Sequence, residues 1–344
     1  MKRYLYSFIL TLVLTHAFSH EPIKGNYKEE LTLKDTFFGA EDNYMVCYPK
    51  GHRDLFLIIF ISTSIATFLF YTTIRQKIRG NRVLKHTNEE ISKKNQEILE
   101  SIRYAKRIQE AILPKSSYLK SVSESLEFLY KPKDIVSGDF YWVHKNENGL
   151  FIAVIDCTGH GVPGAFLSLL AHDAINHAVI EKKLSIPTDI LSSMNVYIKE
   201  ALNQHHINDS QDSMEVGLCR INGNEVKYAG AGIKLKYYSQ QKLHEIKAAK
   251  CSIGSVQDKS IQLPINHTLT LNAGDKLYMH SDGLPDQFGG TDNKKLTAKK
   301  LNQFIESVAH KDIVTQKRDI EHYFENWKGK TEQTDDVLLA MYTI

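Results

Sequence analysis

Along this chain the apolar positions change their spacing twice, and each change marks a different kind of element. Leu55 to Ile74 is a run of 20 residues without a charge. At the rise of an α-helix it spans about 30 Å, the thickness of a bilayer's hydrocarbon core. It lacks the polar face of a soluble core helix, and Arg75, Lys77, Arg79, Arg82 and Lys85 follow it, a cluster that marks the cytoplasmic side. The run predicts a transmembrane helix over residues 55–74. Beyond it Leu84, Ile91, Ile98, Ala105 and Ile112 recur every seven residues, with Ile102 and Ile108 added and Glu, Lys, Gln and Asn around them. That period predicts a helix over residues 75–113 that pairs along a narrow seam, giving a parallel homodimer. A solvated helix that touches only its own domain is the alternative. Pro114 ends the stretch.

From residue 114 the period shortens to that of strands. Phe140 to Val143 and Leu150 to Ile155 read as a pair across Asn146-Glu147-Asn148-Gly149. Two helices follow, Ala165 to Ile180 and Ile190 to Leu202, the second started by Pro187-Thr188-Asp189. Short strands come next at Met214 to Ile221, Glu225 to Tyr228, Leu235 to Ser239 and Leu243 to Ile246, and His267 to Leu271 with Lys276 to His280 reads as a further hairpin. Helical segments near Leu296 to Val308 and Lys311 to Trp327 precede a last strand, Val337 to Thr343. Strands interleaved with helix pairs predict an α+β sandwich over residues 114–344, two antiparallel β-sheets flanked by helices.

The N-terminus adds a second membrane question. Lys2-Arg3, the apolar stretch Tyr4 to Thr15 and Ala17-Phe18-Ser19 have the charge, length and small residues of a signal peptide over residues 1–19, or of an uncleaved first span. Residues 20–54 then form a short extracytoplasmic segment, too short for a core of its own. Composition changes little: 344 residues at 42% apolar allow one large domain with appendages, and 43 basic against 40 acidic side chains leave a net charge of +3. That balance gives no reason to expect nucleic acid as a partner. Cys47, Cys157, Cys219 and Cys251 are too few and scattered for a metal cluster or a disulfide framework.

Candidate chemistry lies in four acidic motifs at the ends of strand-like runs: Val136-Ser137-Gly138-Asp139-Phe140-Tyr141, Asp156-Cys157-Thr158-Gly159-His160-Gly161, Met279-His280-Ser281-Asp282-Gly283 and Thr334-Asp335-Asp336. Carboxylates at strand ends, beside small residues, let distant segments converge on hard divalent cations. Lys131 and Lys133, just ahead of Asp139, are candidates to attract a phosphate.

In this order, with Gln109-Glu110-Ala111-Ile112-Leu113-Pro114 as a lead-in and Gly159-His160-Gly161-Val162-Pro163-Gly164-Ala165 included, the motifs resemble the type 2C metal-dependent serine/threonine protein phosphatases, specifically the bacterial branch typified by the stage II sporulation phosphatase E. The resemblance covers roughly residues 105–344. It implies hydrolysis of a phosphate monoester with two divalent cations, Mn2+ or Mg2+, that activate a water. It further implies that Asp156 bridges both ions, that the Cys157 carbonyl completes one site, and that Asp282 and Asp335 bind the other. Asp139 matches the family's Gly-Asp position and would hold an ion or its water, and Asp336 is the alternative to Asp335. His160 is a candidate proton donor to the leaving oxygen or a brace for its loop. Asp212-Ser213-Met214-Glu215 departs from the family's usual Gly-Met-Asp, and Cys157 replaces the usual glycine.

The implied partner is a phosphorylated regulatory protein of the anti-sigma-factor-antagonist kind, and the implied location is the bacterial inner membrane with the catalytic domain in the cytoplasm. A catalytically silent scaffold of the same fold and a phosphatase of a small phosphorylated metabolite are the competing readings.

Overall fold

The computed structural model describes residues 50–203, 212–255 and 264–344. The expectations for residues 1–19 and for most of 20–54 lie outside the described residues. The chain divides into two compact units, Met1–Asn88 and Glu89–Ile344.

One helix, α1 (Lys50–Ile112, 63 residues), carries both the apolar run and the heptad stretch, which their different spacing predicts as separate elements. After Ile74 the polar residues are mostly Arg, Lys, Glu and Gln, good helix formers, and no proline interrupts the turns before Ile112. The helix contains an 18-residue window apolar enough to cross a membrane, none of it buried. In the heptad stretch Leu84, Ile91 and Ile98 are 60%, 53% and 56% exposed, so the single chain leaves that seam uncovered.

The second unit continues with α2 (Ser116–Val122) and is built on two five-stranded sheets, every neighbouring pair antiparallel. The first has the order β1-β12-β9-β6-β7: β1 (Leu126–Lys131), β12 (Val337–Thr343), β9 (Lys276–His280), β6 (Leu235–Ser239) and β7 (Lys242–Ile246). The second has the order β2-β3-β4-β5-β8: β2 (Phe140–Asn146), β3 (Gly149–Cys157), β4 (Met214–Asn222), β5 (Glu225–Ala231) and β8 (His267–Thr270).

Their facing surfaces pack Phe128, Ile152, Val154, Leu235, Met279 and Leu338 into one core. The outer face of the second sheet is covered by α3 (Gly161–Asn176), a π-helical turn (His177–Glu181) and α4 (Pro187–Ala201), through Ala171, Ile175, Ile190, Met194 and Ile198. Short elements cross the end of the first sheet: α5 (Gly283–Asp286), β10 (Phe288–Gly289) and β11 (Lys294–Lys295). That sheet's outer face is covered by α6 (Ala298–Val308) and α7 (Ile313–Lys328), through Leu301, Ile305, Ile320 and Phe324. The result is the expected α+β sandwich, in four layers.

One expected hairpin does not form. His267–Thr270 pairs with β5 in the second sheet, whereas Lys276–His280 pairs with β12 and β6 in the first. The turn between them crosses from sheet to sheet, tied by Leu271 N–H to Asn224 O (3.0 Å) on one side and by Gly274 N–H to Ile344 O (3.0 Å) on the other. Adjacency in sequence suggested a pairing that burial overrides, because β9 is buried at four of its five positions and belongs in a sheet centre.

Candidate metal centre

Four chain segments meet where the two sheets end. Asp156 is the penultimate residue of β3 and stands opposite Glu215 of β4 in the ladder. Asp139 immediately precedes β2 and is 2% exposed. Asp282 stands two residues beyond β9 and caps the start of α5. Asp335 and Asp336 immediately precede β12. Strand pairing within each sheet and packing between the sheets thus bring together residues almost 200 positions apart.

The carboxylates sense one another strongly. Burial pushes Asp156 up to about 7, and Asp282, Glu215 and Asp335 add to the rise by repulsion. Asp139 is raised well above the carboxylate range by burial and then by Asp156, against the stabilising hydrogen bond from Ser281. Asp282 is raised by partial desolvation, then by Asp335 and Asp286, with Lys295 opposing. The side chains converge without closing: among the described residues no three His, Cys, Asp or Glu side chains form a ready-made shell for an ion. Like charges pressed together at a water-facing edge, with oxygen donors only, match the needs of a hard divalent cation such as Mg2+ or Mn2+. The donor set therefore fits the implied ions.

The two adjacent aspartates do different things. Asp336 is 3% exposed, and its two oxygens accept from Lys133 N–H and Gly138 N–H, each at 2.7 Å. It fastens the loop that carries Asp139. Asp335 accepts from the Asp336 N–H at 2.8 Å and acts electrostatically on both Asp156 and Asp282. Gly283 is obligatory beside them, since a Cβ there would stand 1.9 Å from the Asp336 carbonyl oxygen.

Two further glycines let the site loops touch main chain to main chain. A Cβ at Gly138 would meet Gly159 O at 2.5 Å and Cys157 O at 3.0 Å, and a Cβ at Gly164 would meet Gly159 O at 2.3 Å and the Gly138 Cα at 2.8 Å. The Cys157 carbonyl therefore lies against the Asp139 loop, while the Cys157 thiol is buried in the outer core, and burial raises it well above the thiol range. An inert thiol with its carbonyl at the site agrees with a backbone role for Cys157.

His160 lies on the exposed rim, where its Nδ1 is 2.7 Å from Asp134 Oδ2. Lys131 is tied by its Nζ to Glu321 (3.0 Å) and Glu325 (2.6 Å) of α7, which directs it away from the role of free phosphate attractor.

Sequence reasoning passed over several contributors. Ser281 lay inside a quoted motif, yet its importance comes from the fold: its Oγ donates to Asp139 Oδ2 at 2.5 Å and accepts from Leu338 N–H at 3.1 Å. Glu215 stood out as a departure from the family pattern and proves to sit against Asp156 and Asp282. Its carboxyl occupies the space above Gly232, where a Cβ would come within 2.5 Å of Oε2. His280 is partly buried and held neutral at about 3 by desolvation and by Lys236. Its Nδ1 donates to Ser281 O (2.7 Å), and its Nε2 accepts from Lys236 Nζ (2.7 Å), so a half-buried chain of hydrogen bonds backs the site.

Two antiparallel sheets between helix pairs, with acidic residues gathered at one end, form the type 2C phosphatase architecture, as solved structures bear out. The SiaA-PP2C domain of Pseudomonas aeruginosa superposes with a TM-score of 0.66 at 28% identity, over 73% of this chain and 98% of that domain. The PP2C phosphatase domain with a regulatory fragment of SpoIIE from Bacillus subtilis gives 0.51 at 14% identity, over 64% of this chain and 63% of the other, and bears on the fold alone. The model of the stage II sporulation protein E (SpoIIE) family matches residues 146–344, more than half of the chain, and the chain belongs to that family. Phosphoserine phosphatase RsbU of Bacillus subtilis (strain 168) is 26% identical over 221 residues, 61% of this chain and 60% of the relative, so the match spans about three fifths of that protein's length.

Proposed function

We propose that this chain is a metal-dependent protein-serine/threonine phosphatase that hydrolyses phosphoserine or phosphothreonine on a cytoplasmic regulatory protein of the anti-sigma-factor-antagonist kind. The observation that carries the reading is the convergence of Asp139, Asp156, Asp282 and Asp335, with Asp156 driven up to about 7 by burial and by its acidic neighbours. Holding such charges together is costly unless a cation neutralises them. The kinship with a phosphoserine phosphatase and with a PP2C domain supports the same reading.

When bound, two Mn2+ or Mg2+ ions would neutralise the phosphoryl oxygens and ready a water for in-line attack. The chain's own residues do the rest. Asp156, Asp282 and Asp335 would hold the ions, with the Cys157 carbonyl beside Asp156. Asp139 is aimed by Ser281, and Asp336 fixes the Asp139 loop from behind. His160, fastened to Asp134 on the exposed rim, would give a proton to the leaving oxygen or brace its loop.

Residues 55–74 anchor the chain in a bacterial inner membrane, residues 75–113 pair with a second copy, and residues 114–344 form the catalytic domain in the cytoplasm. The uncovered apolar run and the exposed Leu84, Ile91 and Ile98 support this arrangement.

Purified full-length chain in mild detergent should hydrolyse p-nitrophenyl phosphate and a phosphoseryl protein only with Mn2+ or Mg2+, and Asp156→Asn should lower turnover by at least about 1,000-fold. No turnover in the native chain under any metal would reject the enzyme in favour of a silent scaffold, and equal turnover in the variant would remove Asp156 from the metal centre.

A further inference from the structure

The last turn of α1 reaches into the site loop. Gln109 is 4% exposed, and its side-chain amide uses three hydrogen bonds. Its Oε1 accepts from Ser137 N–H (3.1 Å), while its Nε2 donates to Ser137 O (2.6 Å) and to Ser168 Oγ on α3 (2.9 Å). Ser168 is itself buried and donates to Ala165 O at 2.8 Å. One side chain thus grips both backbone polar groups of Ser137, as a neighbouring strand would, and ties that residue to the helix that opens at Gly161.

Each residue of the Ser137-Gly138-Asp139 tripeptide is pinned from a different part of the chain. Gln109 holds Ser137, and Asp336 Oδ2 holds Gly138 N–H at 2.7 Å. The Asp139 N–H donates to Ser137 Oγ at 3.1 Å, and Ser281 Oγ holds the Asp139 carboxylate at 2.5 Å. Removing the Gln109 grip frees the residue whose hydroxyl fixes the Asp139 backbone. A buried glutamine needs partners for its amide anyway, but partners elsewhere would serve that need equally well. What singles out Gln109 is that two of its three bonds go to a residue two positions from a site carboxylate.

We propose that Gln109 is a positioning residue: it sets the main-chain position of Ser137 and, through it, the aim of Asp139. The end of the lead-in helix then belongs to the site. The inference rests on the metal-centre reading above for its chemical consequence.

The test compares full-length native chain, Gln109→Leu and Gln316→Leu. Gln316 is an equally buried glutamine of α7 that bonds Lys311 O (2.7 Å) and Tyr278 Oη (2.7 Å) in the opposite helical layer, so its loss reports a merely structural role. Mn2+ binding is measured by calorimetry, and amide hydrogen exchange is followed across residues 137–139. Groups that orient metal ligands are typically worth 10- to 100-fold in affinity. The expected result is Mn2+ binding at least about tenfold weaker in Gln109→Leu, with faster exchange at Ser137 to Asp139, and binding within about twofold of native in Gln316→Leu. Unchanged Mn2+ affinity in Gln109→Leu, or an equal loss in both variants, would overturn the proposal. Should Gln109→Leu fail to fold, Gln109→Glu keeps the acceptor for Ser137 N–H, loses the donor to Ser137 O, and is read the same way. A native chain that binds Mn2+ but hydrolyses no phosphate ester would reject the phosphatase reading and leave this inference to its own binding data. A native chain that takes up no Mn2+ overturns both.

Discussion

The Asp336 carboxylate accepts a hydrogen bond from the Gly138 backbone N–H at 2.7 Å, joining two acidic motifs that lie 198 positions apart. A second bond of the same length to Lys133 N–H uses the other oxygen. Asp336 is therefore a fastener, and Asp335 is the member of the pair whose charge raises both Asp156 and Asp282.

The division of labour between these neighbours is measurable. Asp336→Ala leaves two buried N–H donors without their anionic acceptor and should lower unfolding free energy by about 3 kcal/mol. Asp335→Asn removes a repelling charge from the cluster and should cost less than about 1 kcal/mol, while weakening Mn2+ binding by at least about 100-fold. Urea unfolding and calorimetry on both variants check this, and the reverse ranking would exchange the two roles.

The metal-free chain should lose stability as pH rises through the window set by Asp156. Its carboxyl ordinarily titrates near 3.9 and stands at about 7 in the folded chain. Between roughly pH 4 and 7 the folded state keeps a proton that the unfolded state has released, so this contribution is full below pH 4 and gone above 7. At about 1.4 kcal/mol per pH unit the loss is bounded by about 4 kcal/mol, shared with the coupled neighbours. Urea unfolding in EDTA at pH 5 and 8 should show the fall in native chain and a flatter profile in Asp156→Asn, and Mn2+ should restore stability at pH 8.

His160 provides a test of leaving-group chemistry. Because its Nδ1 is committed to Asp134, bracing predicts that His160→Ala and Asp134→Ala slow turnover similarly, by about tenfold or less, on both p-nitrophenyl phosphate and a phosphoseryl protein. A general acid is worth about 100- to 10,000-fold and matters most for the poorer leaving group, so a large loss confined to phosphoserine would make His160 the proton donor.

The uncovered seam of α1 predicts an oligomeric state. Native chain in detergent should sediment as a dimer, and a chain carrying Ile91→Asp and Ile98→Asp should sediment as a monomer, since charges at seam positions are not tolerated in a paired helix. A monomeric native chain would mean that the heptad stretch contacts only its own domain or solvent.

What the sequence made legible was whatever is encoded by spacing. The last strand, Val337–Thr343, agrees to the residue, and β2 with β3 form the expected hairpin, because alternation and turn residues are local signals. The pairing of His267–Thr270 was misread because nothing local reveals which sheet a strand joins. β1 went unread, since Leu126–Lys131 carries no clean alternation and takes its place from pairing with β12. At the site, the acidic positions were visible beside their glycines, but Ser281, Glu215 and Gln109 acquire meaning only through partners that folding supplies. Asp335 and Asp336 were indistinguishable as letters; burial and two backbone N–H groups separate them.

Bare backbone abuts bare backbone where Gly138, Gly159 and Gly164 come together. No rotamer lies between these loops to absorb a displacement, so the junction behaves as a keystone rather than a cushion. Any side chain grown at Gly138 or Gly164 would strike main chain first and wedge apart the turns that carry Asp139 and Asp156.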